Sequence, residues 1–151
     1  MTASILPAAI DAVLTAGNSA GVFMVDGPGI TDENLSECVF VGMNDLDQQG
    51  YVNSATLDQN WAYLGHNMRD ETVSIHCLAS AWNGQGNIKS ARDRVFANLT
   101  KLTDAIQTDP TLGGVVLQVV AVRAGSLNAN QDENGAIVNL TFDIELRGRF
   151  S

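Results

Sequence analysis

The stretch from Asn87 to Val122 constrains the fold more than any other part of the chain. Ile88, Ala91, Val95, Leu99, Leu102 and Ile106 recur at spacings of three and four, which places them on one face of an α-helix. Asn87 precedes this stripe and can accept a hydrogen bond from a first-turn amide, as an N-cap does. Asp109-Pro110 ends it, because proline has no amide to donate and disfavours helical geometry in the residue before it. Gly113-Gly114 then lets the backbone turn into a β-branched run. A long amphipathic helix is expected to deliver the chain into a strand through a short, stiff elbow.

Alternation supplies the sheet. From Glu71 to Trp82, Val73, Ile75, Cys77, Ala79 and Ala81 share one face, and Thr72, Ser74, His76 and Ser80 the other. After the elbow, Val115–Arg123 reads as a strand with Val115, Leu117 and Val119 on one face and Val116, Val120 and Val122 on the other. Apolar residues on both faces imply a strand covered twice, with another subunit as the expected second cover. Gly125–Gly135 reads as a polar loop, too long for a tight hairpin turn. In the last strand Leu140, Phe142, Ile144 and Leu146 point inward, while Asn139, Thr141, Asp143, Glu145 and Arg147 point outward.

Upstream, Ser4–Ala16 carries the helical stripe Leu6, Ala9, Ile10, Val13 and Leu14, with Gly17 as its stop. Val22–Val25 and Cys38–Val41 read as short strands, separated by the turn cluster Asp26–Gly29 and the polar linker Thr31–Ser36. Asn44–Asn60 reads as an irregular excursion, with room for one or two short strands between Tyr51 and Leu64. The expected fold is a single α+β domain over residues 1–151, a mixed or antiparallel sheet packed against an N-terminal helix and one long central helix.

Composition narrows the chemistry. A chain of 151 residues is one domain by size. No apolar run approaches the ~20 residues that span a bilayer, and the start lacks the basic flank of a signal peptide, so a cytosolic site of synthesis is expected. The net charge of −9 argues against a protein that grips nucleic acid by its phosphates. Cys38 and Cys77 are expected to be buried free thiols. Asp45, Asp47 and Asp58 lack the spaced ligand set of a calcium loop. His66 and His76 have no nucleophile elbow to serve, and read as surface histidines. Asp143 and Glu145 share a strand face, which a solvated polar face explains as well as acid–base chemistry does. Gly84-Gln-Gly86 lacks the lysine and Ser/Thr of a phosphate loop and reads as a turn into the helix. Trp61, Trp82, Phe40 and Phe96 read as core and interface aromatics, since basic residues are not interleaved with them. No enzymatic signal and no cofactor motif stands out.

Arg69-Asp-Glu-Thr-Val-Ser-Ile-His-Cys-Leu-Ala-Ser-Ala-Trp-Asn-Gly, Ala91-Arg92, the exit Asp109-Pro-Thr-Leu-Gly-Gly-Val-Val and the closing Val138-Asn-Leu-Thr-Phe-Asp-Ile-Glu-Leu form a string of motifs. Together with Val22-Phe-Met-Val-Asp-Gly-Pro and Glu37-Cys-Val-Phe-Val-Gly, they resemble the tail terminator proteins of long-tailed bacteriophages, in particular those of actinobacteria. The resemblance covers about four fifths of the chain and leaves out Asn44–Gly65. It implies a non-enzymatic α/β subunit, without cofactor or metal, that caps the tail tube as a hexameric ring in the virion after assembly in the host cytoplasm. It further implies a tail tube protein and a head–tail completion protein as partners, with phage DNA crossing the lumen without specific binding. Combined with the strand reading, it makes Val116, Val120, Val122, Asn128, Asn130, Asp132, Arg147 and Arg149 the candidate subunit and partner contacts. Another head–tail connector component, a cytosolic ligand-binding α+β domain and a hydrolase remain alternatives.

Overall fold

The computed structural model describes residues 3–27, 36–44, 52–62 and 67–150. The order of elements is α1 (Leu6–Ser19), β1 (Met24–Asp26), β2 (Glu37–Val41), β3 (Ala55–Trp61), β4 (Arg69–Asn83), α2 (Ile88–Thr108), β5 (Gln118–Asp132) and β6 (Gly135–Phe150). The strands form one mixed sheet in the order β1-β2-β4-β6-β5. Among the described residues only β1 and β2 run parallel, and every other pair is antiparallel. One edge of β4 is divided, with β2 along Cys77–Ala81 and β3 along Arg69–Ile75. The seam falls at His76, whose carbonyl accepts from Gly42 N at 2.8 Å and whose amide donates to Ser54 O at 3.0 Å. The fold is the α+β domain expected, with both helices on one face of the sheet.

That face is built by alternation. Val73, Ile75, Cys77, Ala79 and Ala81 of β4 lie beside Leu146, Ile144, Phe142, Leu140 and Val138 of β6, and all are buried. Ala91, Val95, Leu102 and Ile106 of α2 and Ala9 and Val13 of α1 close the same core. A fully buried Leu or Ile side chain contributes about 1.5–3 kcal/mol relative to exposure, so this paired row is the main source of cohesion. A smaller cluster of Cys38, Phe40, Met43 and Leu78 lies on the opposite face.

Local grammar explains both ends of α2. The Asn87 side chain accepts from Ser90 N at 3.1 Å, which completes the expected N-cap. At the exit, Asp109 carboxylate oxygens accept from Gly113 N at 2.8 Å and from the Thr111 hydroxyl at 3.2 Å. Gly113 and Gly114 adopt φ of +71° and +88°, and Leu112 joins them at +51°. The elbow is longer than expected, because Val115 and Val116 still belong to it and β5 begins at Gln118.

Several boundaries differ from expectation. Helix α1 runs past Gly17 to Ser19, because Gly17 is a close-packing position: a Cβ there would lie 2.3 Å from Met24 Sδ. Part of the excursion is a regular strand, β3, paired to β4. The largest correction is Gly125–Gly135, which is not a loop. β5 continues through it to Asp132, and only Glu133 and Asn134 connect it to β6. Its polar composition reflects an edge strand exposed on both faces rather than an irregular segment. The linker residues 31–35, the end of the Asp26–Gly29 cluster, Asp45, Asp47 and His66 lie outside the described residues.

Gly114→Val is expected to lower stability by about 1–3 kcal/mol, through backbone strain at positive φ rather than a clash. Space around Gly114 is open, with nothing within 4 Å of an added Cβ. Urea unfolding monitored by circular dichroism checks this, and an unchanged midpoint would count against it.

Candidate functional site

The sheet face turned away from the helices carries the polar side chains of β3, β4, β5 and β6. His76 stands at its centre, opposite Asp143 in the β4–β6 register. His76 Nδ1 lies 2.7 Å from Asp143 Oδ1, and its Nε2 lies 3.2 Å from the Thr56 hydroxyl. Both ring nitrogens are therefore engaged, and the histidine is more enclosed than a surface residue, with 15% of its side chain exposed. Hydroxyl, imidazole and carboxylate stand in line, the order found in nucleophilic triads. Here Thr56 is exposed on an open sheet face, whereas the apolar groove of about 680 Å³ lies on the helix side, between α1, the end of α2 and the elbow. The line orients the imidazole.

Charge pairs extend along the same face. Arg123 of β5 pairs with Glu145 of β6, so Glu145 is occupied by a cation rather than poised beside Asp143. At the start of β4, Arg149 Nε donates to Asp70 Oδ1 at 2.7 Å, and this hydrogen bond holds the Asp70 carboxyl below the usual aspartate range. Lys89 and Asp93 pair on the surface of α2, and Arg69 lies 4.9 Å from the Trp61 ring centroid. Asp58 and Asp143 contribute to no cluster of three or more His, Cys, Asp or Glu among the described residues that could hold a metal ion.

The expected contact residues separate on this framework. Val116 is buried in the main core and Val122 packs against it, so the proposed apolar row of Val116, Val120 and Val122 does not exist. A register irregularity between Val119 and Ala121 is the reason: it sets Val120 out of the alternation, 42% exposed, and returns Val122 to the core side. On the core side this strand is covered by α2, as expected, with Val119 and Val122 packed against the main core. Asn128, Asn130 and Asp132 lie on the exposed half of β5, opposite Asn139, Ile137 and Gly135. Asp132 Oδ1 also accepts from Asn134 N at 2.8 Å and so shapes the turn. Arg147 sits in β6 between Thr72 and Gln118, and Arg149 is neutralised by Asp70, which weakens the basic rim expected there. Of the four aromatics read as core or interface, only Phe40 is buried; Trp61, Trp82 and Phe96 are exposed.

Two polar anchors were missed. Glu71 is buried and accepts from the Ser4 hydroxyl at 2.8 Å, from Ile5 N at 2.9 Å and from the Gln59 side chain. It thereby ties the approach to α1 onto β3 and β4. Asn98 is buried within the stripe of α2, and its amide donates to Glu37 Oε2 at 3.0 Å. Both were detectable, because Glu71 has the parity of Val73 and Ile75, and Asn98 the helical spacing of Val95 and Leu102. The hairpin end is anchored as well, since the Gln131 side chain donates to Gly86 O at 2.9 Å. This contact supports the reading of Gly84–Gly86 as a turn into the helix.

Glu71→Ala is expected to cost about 1–3 kcal/mol by leaving buried donors unpaired, whereas Glu71→Gln should cost less; denaturant unfolding of the two variants makes the comparison. A second expectation concerns pH. Burial pushes the Cys38 thiol up to about 11 and the Cys77 thiol up to about 12, from 9.0. Raised folded values mean that the unfolded chain releases these protons first, so the contribution is complete below pH 9.0 and is lost as pH rises towards 11 and 12. Unfolding midpoints should fall as pH rises above 9.0, and the double variant Cys38→Ala, Cys77→Ala should fall less steeply.

No helix among the described residues is long and apolar enough to cross a membrane. Compared with known proteins, the chain matches no protein-family model and no curated protein sequence.

Proposed function

We propose that this protein is a structural subunit of a long-tailed bacteriophage, a tail terminator that caps the tail tube as a ring of identical copies and offers a surface for head joining. The observation that carries the proposal is the form of the sheet: helices cover one face, while β5 presents a fifteen-residue outer strand exposed along its second half. Sheets of this kind are completed by neighbours, because unpaired strand edges and exposed apolar side chains favour association. Leu117 at 55% exposure and Trp61 at 61% stand at the two sides of the sheet, where neighbouring subunits would meet them.

The motifs behind the resemblance support the same reading. The Asp109-Pro-Thr-Leu-Gly-Gly elbow is a hydrogen-bonded unit in which Asp109, Thr111 and both glycines each have a structural task. The acidic balance, with Arg123 and Arg149 paired to carboxylates, suits a lumen that DNA crosses without counterion-release binding. The partners in this reading are the tail tube on one side and a completion protein on the other. A hexameric ring and a place in the virion neck belong to the proposal.

Loss of the protein is expected to yield tails of uncontrolled length, or full heads and tails that fail to join. Electron microscopy of lysates from a phage lacking the gene checks this. Tails of normal length on infectious particles would overturn the proposal.

A further inference from the structure

We infer that copies of this chain join head to tail through their sheets, the free edge of β5 in one copy meeting the β1–β3 margin of the next. This deepens the ring reading above and takes its biological sense from it, but the argument stands on the two margins of the sheet.

The first margin is the outer side of β5. Its upstream end is closed, because Val119 N donates to Pro110 O at 2.8 Å. From Ala121 to Asp132 the outer side has no backbone partner among the described residues. Lysine and proline, two of the guards of an exposed edge, are absent from Gln118–Asp132, and its register irregularities both lie before Leu127. The second margin is formed by β1 beyond β2 and by β3 beyond β4, each with an outer side lacking a backbone partner among the described residues.

Three features make these margins complementary. Strand direction is the first. β1 and β3 run antiparallel to β4, whereas β5 runs parallel to it, being antiparallel to β6. Copies related by rotation about an axis along the strands therefore bring the free edge of β5 against β1 in antiparallel sense, the more stable pairing, and turn the closed start of β5 towards β3.

Shape is the second. β3 lies one strand inward of β1, which leaves a step beside Leu57. On the other margin the elbow adds a segment outside β5 at Val119. Through the ladder Val119–Leu146–Val73–Leu57, the added segment and the step stand at the same height.

Charge and exposed apolar surface are the third. Between Gln118 and Gln131 the only charged residue is Arg123, which pairs with Glu145 of its own copy and still leaves 65% of its side chain exposed. Asp26 and Asp58 are the only charged residues of β1 and β3, and both are exposed. Phe23 and Leu57 are exposed on the second margin, as Val120 and Leu127 are on the first. A like-for-like β5–β5 contact would offer none of this opposition, so the occupant is a second copy in heterologous arrangement, which closes into a ring or continues as a filament.

The test uses the purified full-length chain and two edge variants, Val120→Lys with Leu127→Lys on β5, and Phe23→Lys with Leu57→Lys on the opposite margin. All four positions are exposed, and circular dichroism checks that each variant folds; the single variants Leu127→Lys and Phe23→Lys replace any that does not. Light scattering should give an oligomer larger than a dimer for the unaltered chain and a monomer for each variant alone. An equimolar mixture of the two variants should give dimers, because one intact β5 then meets one intact margin. A monomeric unaltered chain, a variant that keeps the full mass, or a mixture that stays monomeric would overturn the inference. Variants that assemble normally, in a protein found at the virion neck, would refute this contact and leave the terminator reading standing. The predicted mixing pattern in a protein absent from virions would do the reverse.

Discussion

The antiparallel ladder between β4 and β6 is the interaction on which the rest depends. It pairs Arg69–Asn83 with Ala136–Phe150 without a register break, and it sets five apolar side chains of each strand onto the same face. A one-residue slip of either strand against the other would turn its apolar row outward, so the buried core and the register specify each other. The helices only make sense against this platform: the stripe of α2 lies on it, and α1 is held at its border by Glu71.

Legibility in the sequence followed how local each determinant is. The α2 stripe, its Asn87 cap and the Asp109–Gly114 exit depend on residues within a few positions of one another, and the chain order alone revealed them. The alternation of β4 and β6 was equally plain, because one face is buried and the other wet. Edge strands gave the weaker signal. The second half of β5 is exposed on both sides, so nothing in Ser126–Asp132 alternates, and its asparagines imitate a loop. β3 is similar, half hidden in a polar stretch.

The irregularities in β5 explain the most consequential misreading. Strict alternation across Val115–Val122 would make Val116, Val120 and Val122 one row. The elbow keeps Val116 out of the strand, and the break after Val119 changes which side the later residues face. Such a shift depends on how β5 matches β6, a partner 24 to 27 residues away along the chain at that point, so periodicity within β5 could not reveal it. The same holds for His76, whose neighbours Thr56 and Asp143 come from two other strands.

The divided edge of β4 also has a dynamic consequence. Successive amides along a strand point to alternate sides, so half of those in β4 face the long continuous partner β6 and half face the short strands β2 and β3. Detachment of seven-residue β3 releases its share of β4 amides without disturbing those held by β6, because the pairing at His76 separates it from β2. Amide exchange within this one strand therefore runs at two rates that alternate residue by residue. Protons facing β6 await opening of the whole domain, and those facing β3 a local excursion.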